Sequence, residues 1–466
     1  MERIWDKYEN VLLQTDPMKF EGTVKKVTGL LIESTGPEGK LGELCHIFLE
    51  PGKPPIRAEI TGFRDDAVLL MAYEDIQGIY PGCKVKATAF PLRLNVSDDL
   101  LGRVLNGMGE PIDSKPKVVS RDVVSVQRDP INALKRIPIE QPLSVGIKSI
   151  DGLLTLGRGQ RVGIFSGSGV GKTTLLGMIA RNTEADISVI GLVGERGREV
   201  REFIENDLGV EGLKRSVVVA ATSDDTPLAK IRAAYVATTI AEYFRDKGKH
   251  VVLMMDSITR FARAQRELAG ANGEPPLQQG FPASTFVLMS KIIERAGMTQ
   301  RGSITGIYTV LVESDDINDP VSDAVRGYLD GHIVLARNLA EMNHYPAVDI
   351  LGSISRLMNK VVTKEHKELG ARIREIMAVY KENYDLISVG AYVQGSNPRV
   401  DNAIKLIEPI NAFLKQGIEE KWAFKDIVSG LEAVFNHNEN PGNDDNSSRN
   451  LSQFNDLLQR INNEAV

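Results

Sequence analysis

Residues 161–180 read RVGIFSGSGVGKTTLLGMIA. An apolar run ends in a loop of glycines and serines, followed by a lysine and two threonines. Small residues let successive backbone N–H groups converge on an anion, and a helix starting near Lys172 adds the positive end of its dipole. The spacing is that of a phosphate-binding loop, GxxxxGK[ST]. Ser166, Gly167, Ser168, Gly169, Val170, Gly171, Lys172, Thr173 and Thr174 form the candidate cradle. Lys172 is placed for the β- and γ-phosphates of a nucleotide and the Thr173 hydroxyl for Mg2+. The first position holds Ser166 where the strict pattern has glycine. Serine is still small enough to keep the backbone close to a ligand, and Gly167, Gly169 and Gly171 retain the conformational freedom such a loop needs.

Two further stretches place acids where strands should end. HVVLMMDSITRFARAQ (250–265) carries an apolar run up to Asp256, a second candidate Mg2+ ligand at the edge where open α/β sheets bind ligands. ISVIGLVGERGREVREF (187–203) carries a buried-type strand up to Gly194, then Glu195 with Arg196, Arg198 and Arg201. Alone, that cluster reads as a salt-bridged helix start. Beside a phosphate loop it reads differently. A carboxylate on the same edge, not needed for metal, is placed to polarise a water for in-line attack on the γ-phosphate. Glu195 is thus the expected catalytic base, with Arg196 expected to set its geometry through nearby charge.

These residues need a parallel sheet to bring them together. RVGIFS, DISVIGLV, SVVVAAT, HVVLMMD and ITGIYTVLVES alternate with helical segments, which predicts an α/β domain over 93–360. Residues 19–92 are short β-rich pieces separated by Gly, Pro and Asp turns, the pattern of a small barrel or sandwich. Residues 361–435 read as mostly helical. Residues 1–18 suit a short amphipathic partner-binding helix, and 436–466 a flexible Asn-rich tail with a short helix.

Composition narrows the function classes. The chain has 466 residues, 42% hydrophobic and 25% charged, with a net charge of −6. That size supports two or three domains, and the acidic balance argues against a nucleic-acid partner. Cys45 and Cys83 are the two cysteines, expected as reduced structural residues of a cytoplasmic protein. The N-terminus reads as no signal peptide, and no stretch is long and apolar enough to span a bilayer.

GERGREVREF and SGSGVGKTT, with LLGRVLNGMGEPID (100–113) and YPAVDILGSISR (345–356), resemble the rotary-type hexameric ATPases. Within that family, RAQREL, GEPP and LISVGAYVQGSNP are most similar to the flagellum-specific export ATPases of type III secretion. The resemblance spans about 20–435. It implies a RecA-like core behind an N-terminal β-barrel and ahead of a helical C-terminal domain, assembled as a homohexamer that binds ATP and Mg2+ between subunits. It implies that Arg356 acts as an arginine finger on a neighbouring subunit, that Arg260 lies near the γ-phosphate, and that Tyr345 stacks on adenine with Tyr392 as a second wall. Spacing alone would equally fit Arg356 in a surface salt bridge. Implied partners are a regulatory subunit on the N-terminal segment, a stalk-like coiled coil facing GEPPLQQGFP (273–282) and ESDDINDP (313–320), membrane proteins of the export gate, and export substrates with their chaperones. The implied location is the inner face of the cytoplasmic membrane. The site residues also suit the catalytic subunit of a proton-translocating ATP synthase or a virulence-type secretion ATPase. A complete loop with Glu195 speaks against a noncatalytic ring subunit, and the charge against an RNA translocase.

Overall fold

A computed structural model describes residues 21–312 and 319–436. The expected terminal helix, the Asn-rich tail and most of ESDDINDP lie outside the described residues. Six antiparallel strands open the chain: β1 (Gly22–Thr28), β2 (Leu31–Ser34), β3 (Glu43–Phe48), β4 (Ile56–Arg64), β5 (Ala67–Ala72) and β6 (Lys84–Pro91). They close into a barrel in the order β1-β2-β5-β4-β3-β6. Alternation along each strand sends Val24, Ile32, Cys45, Ile47, Ile60, Leu70 and Val85 inward. Both cysteines are buried and free, and burial pushes the Cys45 thiol up to about 12.

The chain then adds β7 (Arg93–Asn95), β8 (Arg103–Leu105), β9 (Val123–Ser125), β10 (Pro142–Leu143) and β11 (Leu156–Gly157). The central sheet takes β8 with β12 (Arg161–Ser166), β13 (Ile187–Glu195), β14 (Ser216–Thr222), β15 (His250–Asp256), β16 (Gly297–Met298), β17 (Ser303–Leu311), β18 (Gly331–Leu335) and β19 (Val348–Ser355). The strand order is β19-β18-β12-β17-β15-β13-β14-β8, with β16 beside β17. The main path is parallel except for β19, which runs antiparallel to β18.

Helices cover both faces, so β13 is buried at all nine residues. Its side chains divide by parity. Val189 and Val193 join Val217, Val219, Leu253 and Met255 on one face, under the helix Pro227–Asp246. Ile190 and Leu192 join Val218, Val252 and Met254 on the other, with Ile373, Leu406, Ile410 and Phe413 from the C-terminal helices Lys364–Glu382 and Pro398–Leu414. The helical domain therefore shares its core with the sheet.

The barrel is fastened to the sheet domain by charge as well as apolar contact. Arg232 donates to Glu59 through Nε at 2.8 Å, and the Tyr73 hydroxyl donates to the same carboxylate at 2.5 Å. All three residues are buried; removing one partner of such a pair costs about 3–5 kcal/mol. No helix among the described residues is long and apolar enough to cross a membrane.

The five sequence-predicted core strands are present. The sequence reading missed β8, β18 and β19. β8 is three residues long and β18 five, too short for periodicity to register, and β19 alternates buried with exposed positions instead of showing a continuous apolar run.

Candidate active site

β12, β13 and β15 end at one edge of the sheet, and each delivers one group. After Ser166 the chain turns through Gly169 (φ 79°) and Gly171 (φ 92°), left-handed conformations that favour glycine. The helix Lys172–Asn182 starts at once, with Gly171 as its cap. No side chain caps the helix start, which leaves its first N–H groups available to an anion. Ser166 is buried, ends β12, and its hydroxyl has no hydrogen-bond partner.

Asp256 lies opposite Leu192 across the β13/β15 ladder, so Glu195 stands three residues further along its own strand. Gly194 resolves this offset. Its φ of 74° breaks the β13/β14 register, and the Glu195 carboxylate lies 3.8 Å from the Lys172 ammonium. A side chain at Gly194 would approach the Arg260 Cδ to 3.0 Å, so glycine is required on steric as well as conformational grounds.

Lys172 is ion-paired with Asp256, which is 1% exposed. The Thr309 hydroxyl donates to Asp256 Oδ1 at 2.7 Å. Arg260 sits in the helix Ile258–Ala271, capped by Ser257. Its guanidinium donates to Glu195 Oε2 at 3.1 Å and to the Gly194 carbonyl at 2.6 Å. Burial, with the Asp256 carboxylate next, pushes the Glu195 carboxyl up to about 7, while Lys172 and Arg260 pull the other way. Glu199 is held below its ordinary range despite burial, by its hydrogen bond with Glu195 and by the Arg196 charge.

A cavity of about 450 Å3 lies between these groups, lined by the loop residues, Thr173, Glu195, Glu199 and Arg260. Its donors are hard oxygens, and among the described residues no group of three or more His, Cys, Asp or Glu could hold a metal alone. Thr173 and Asp256 therefore fit Mg2+, which takes one or two protein oxygens and completes its shell with phosphate and water.

Arg196 is exposed and pairs with Glu199 at 3.2 Å, so its charge lies next to the acid that is hydrogen-bonded to Glu195; the arginine that touches Glu195 directly is Arg260. The strand end leads into the helix Gly197–Glu202, where Glu199 is the acid nearer to Arg196. Glu199 and Thr309 were not singled out from sequence. Glu199 lies in the first turn of the helix that follows Glu195, and that closeness in sequence could have marked it; Thr309 is a core residue of β17 with no local signal.

Tyr345 borders the loop: a Cβ on Gly171 would lie 3.6 Å from its ring. It also lines a second cleft, of about 430 Å3, with Lys148, Gln416 and Trp422. Tyr392 is not brought there. Its hydroxyl shares its one hydrogen between Asp401 at 2.9 Å and the Asn397 carbonyl at 3.0 Å, which closes its own loop ahead of the helix Pro398–Leu414, and it is not among the residues that line the Tyr345 cleft.

Arg356 follows the last residue of β19. Because β19 runs backward, Ser355 pairs with Gly331, and the Arg356 N–H donates to the Asp330 carbonyl at 3.0 Å. Asp330 in turn donates to Arg161, the first residue of β12. Arg356 thus lies at the opposite edge from the phosphate loop, which begins five residues later on β12, or about 16 Å at ~3.3 Å per residue. It is exposed, and among the described residues no acid pairs with it.

Comparison with known proteins agrees with this layout. Residues 146–355 match the ATP synthase α/β family nucleotide-binding domain, 24–89 its β-barrel domain, and 362–433 the T3SS EscN ATPase C-terminal domain. The chain is 52% identical over 428 residues to a flagellum-specific ATP synthase of Treponema pallidum, covering 92% of this chain and 96% of that one. It is 47% identical to a type 3 secretion system ATPase of Xanthomonas euvesicatoria over 413 residues, 89% of this chain and 93% of that one. The assembled ATPase EscN of enteropathogenic E. coli superposes with a TM-score of 0.84 at 44% identity, covering 89% of this chain and 99% of that one. EscN has also been solved in complex with its central stalk EscO, with a TM-score of 0.82 at 43% identity over the same shares of the two chains.

Proposed function

The chain belongs to the ATP synthase α/β family, and we propose that it is the ATP-hydrolysing subunit of a homohexameric motor for type III protein export, of the flagellar kind. The observation that carries this reading is the division of one catalytic set between opposite edges of the sheet. Lys172, Thr173, Glu195, Asp256 and Arg260 stand at one edge, and Arg356 at the other. A ring that sets the Arg356 edge of one copy (the lower edge) against the phosphate-loop edge of the next (the upper edge) completes the set.

The residues then act as follows. The phosphate loop and Lys172 hold the β- and γ-phosphates, for which Lys172 exchanges its bond to Asp256. Asp256 and Thr173 are thereby free for Mg2+, which neutralises phosphate charge when bound. Glu195 accepts a proton from the water that attacks the γ-phosphorus as the bond to the ADP oxygen breaks. The raised affinity of Glu195 for a proton suits it to that transfer near neutral pH. Arg260 orients Glu195 from within the chain, and Arg356 of the neighbouring copy stabilises the charge on the transferred group, a role worth about 10³ or more in rate. Tyr345 stacks on adenine from beside Gly171.

The match of 362–433 to the T3SS EscN ATPase C-terminal domain supports export over proton-driven ATP synthesis. Flagellum-specific relatives run from 45% to 52% identity and type 3 secretion ATPases from 43% to 47%, and it is flagellum-specific relatives that reach 50–52%, which supports the flagellar kind. The stalk complex of EscN supports a coiled-coil partner in the central channel, facing the loop at 273–282. Regulatory-subunit binding by residues 1–18, work at the inner membrane face with the export gate, and handling of substrates and chaperones complete the proposal.

Turnover per subunit measured against protein concentration tests it. Assembly-built sites predict a steep rise that saturates once rings form; a rate per subunit independent of concentration down to the monomer would overturn it.

A further inference from the structure

The cleft beside Tyr345 is walled partly by a domain that supplies none of the phosphate chemistry. Gln416 follows the helix Pro398–Leu414 and is buried, and it bonds in three directions. Its backbone N–H donates to the Tyr345 carbonyl at 2.9 Å. Its Oε1 accepts the Lys148 N–H at 2.8 Å, and its Nε2 donates to the Gly146 carbonyl at 2.8 Å and the Glu420 carbonyl at 3.0 Å. Both amide hydrogens and the amide oxygen are thus engaged within the protein, which makes Gln416 a brace and not a reader of ligand.

What it braces is rigid on the nucleotide side. Gly146 has φ 69°, and a Cβ there would meet Asn182 Cβ at 2.6 Å. Asn182 and Arg181 end the helix that begins at Lys172, and they donate to the carbonyls of Glu420 at 3.2 Å and Ile418 at 2.8 Å. The Lys148 ammonium adds a charge contact, 4.9 Å from the Trp422 ring and 3.9 Å from the Glu420 carboxylate. The segment 416–422 is therefore fixed to both ends of the phosphate-binding unit, and Tyr345 is fixed to that segment.

We propose that Gln416 is a positioning residue for the nucleotide base, pinning the Tyr345 backbone between the 146–148 turn and the C-terminal helical domain so that the placement of that domain sets the base cleft. The inference rests on the reading of Tyr345 as the adenine wall. It gives the helical domain a direct route to nucleotide affinity that does not pass through the phosphates.

Steady-state kinetics of the full-length protein test this with Gln416→Ala, Gln416→Glu, Tyr345→Ala and the Gln416→Ala/Tyr345→Ala double variant, each checked by thermal unfolding. Losing hydrogen bonds of this kind predicts a KM for ATP about two- to fivefold higher and no higher than that of Tyr345→Ala, with kcat within about twofold. Gln416→Glu keeps the acceptor for the Lys148 N–H but sets a carboxylate oxygen against the Gly146 and Glu420 carbonyls in a buried site, so its KM rises at least as far as that of the alanine variant. The double variant has the KM of Tyr345→Ala, because both act through one wall. A KM unchanged in both Gln416 variants, or a double-variant KM equal to the product of the two single effects, would overturn the inference while leaving Tyr345 in place. A Tyr345→Ala KM equal to the parent's would remove the base reading, and this inference with it.

Discussion

Where β12, β13 and β15 end, charge is satisfied within the chain: Lys172 is tied to Asp256 and Glu195, and Arg260 to Glu195. Where β19 ends, on the opposite edge, Arg356 is exposed, and among the described residues no acid holds it. The difference separates two kinds of readiness. The upper edge is a site whose ammonium and carboxylates hold one another in place, so a nucleotide bound there as proposed would displace internal ion pairs to enter. The lower edge presents a guanidinium that no acid among the described residues holds. In the proposed function one is a receptor and the other a donor, and a ring would bring them together.

Glu195 gives the largest way to sharpen that contrast. Glu195→Gln keeps the shape of the upper edge but cannot take a proton, so kcat should drop about 100- to 10,000-fold while Mg-ATP still binds. Retained turnover would assign the base elsewhere. The same variant has a second, smaller signature in the ligand-free protein. The Glu195 carboxyl rises from its ordinary 4.5 to about 7 on folding, so the folded state binds the proton more tightly. Stability therefore falls as pH climbs through that window and stays low above it. Glu195→Gln removes the penalty and should gain on the order of 1–3 kcal/mol near pH 8, with the gain shrinking as pH falls toward the ordinary value. A gain independent of pH would contradict the buried-carboxyl account.

The smallest expected effect compares two tyrosines. Tyr345→Ala removes a stacking face worth about 0.5–1.5 kcal/mol and should raise KM for ATP about two- to tenfold. Tyr392→Ala should leave KM where it is, because Tyr392 is spent on Asp401. Equal effects of the two substitutions would restore Tyr392 as a wall of the base cleft.

Much of the upper edge was legible because its signals are local. A phosphate loop occupies nine residues, and an acid at the end of an apolar strand is visible in seven. Arg260 was legible from the family resemblance, but its hold on Glu195 was not, since that contact joins residues 65 positions apart. The position of Arg356 depends on β19 running backward, and a strand that alternates buried and exposed residues gives no sign of direction. Gln416 was out of reach for the same reason at greater range: its bonds to Lys148 and Gly146 span 268 and 270 residues. The barrel was legible as β-rich text, while its union with the sheet domain through Glu59 and Arg232, 173 residues apart, was not.

Mixing two inactive variants tests the division between the edges most directly. Lys172→Ala destroys the upper edge of a subunit and spares its lower edge; Arg356→Ala does the reverse. If the two edges serve different copies, mixed rings hold some interfaces with both halves intact, and ATP hydrolysis should reappear on mixing at a sizeable fraction of the parent rate. A mixture as inactive as either variant alone, under conditions where the two are shown to co-assemble, would contradict the account.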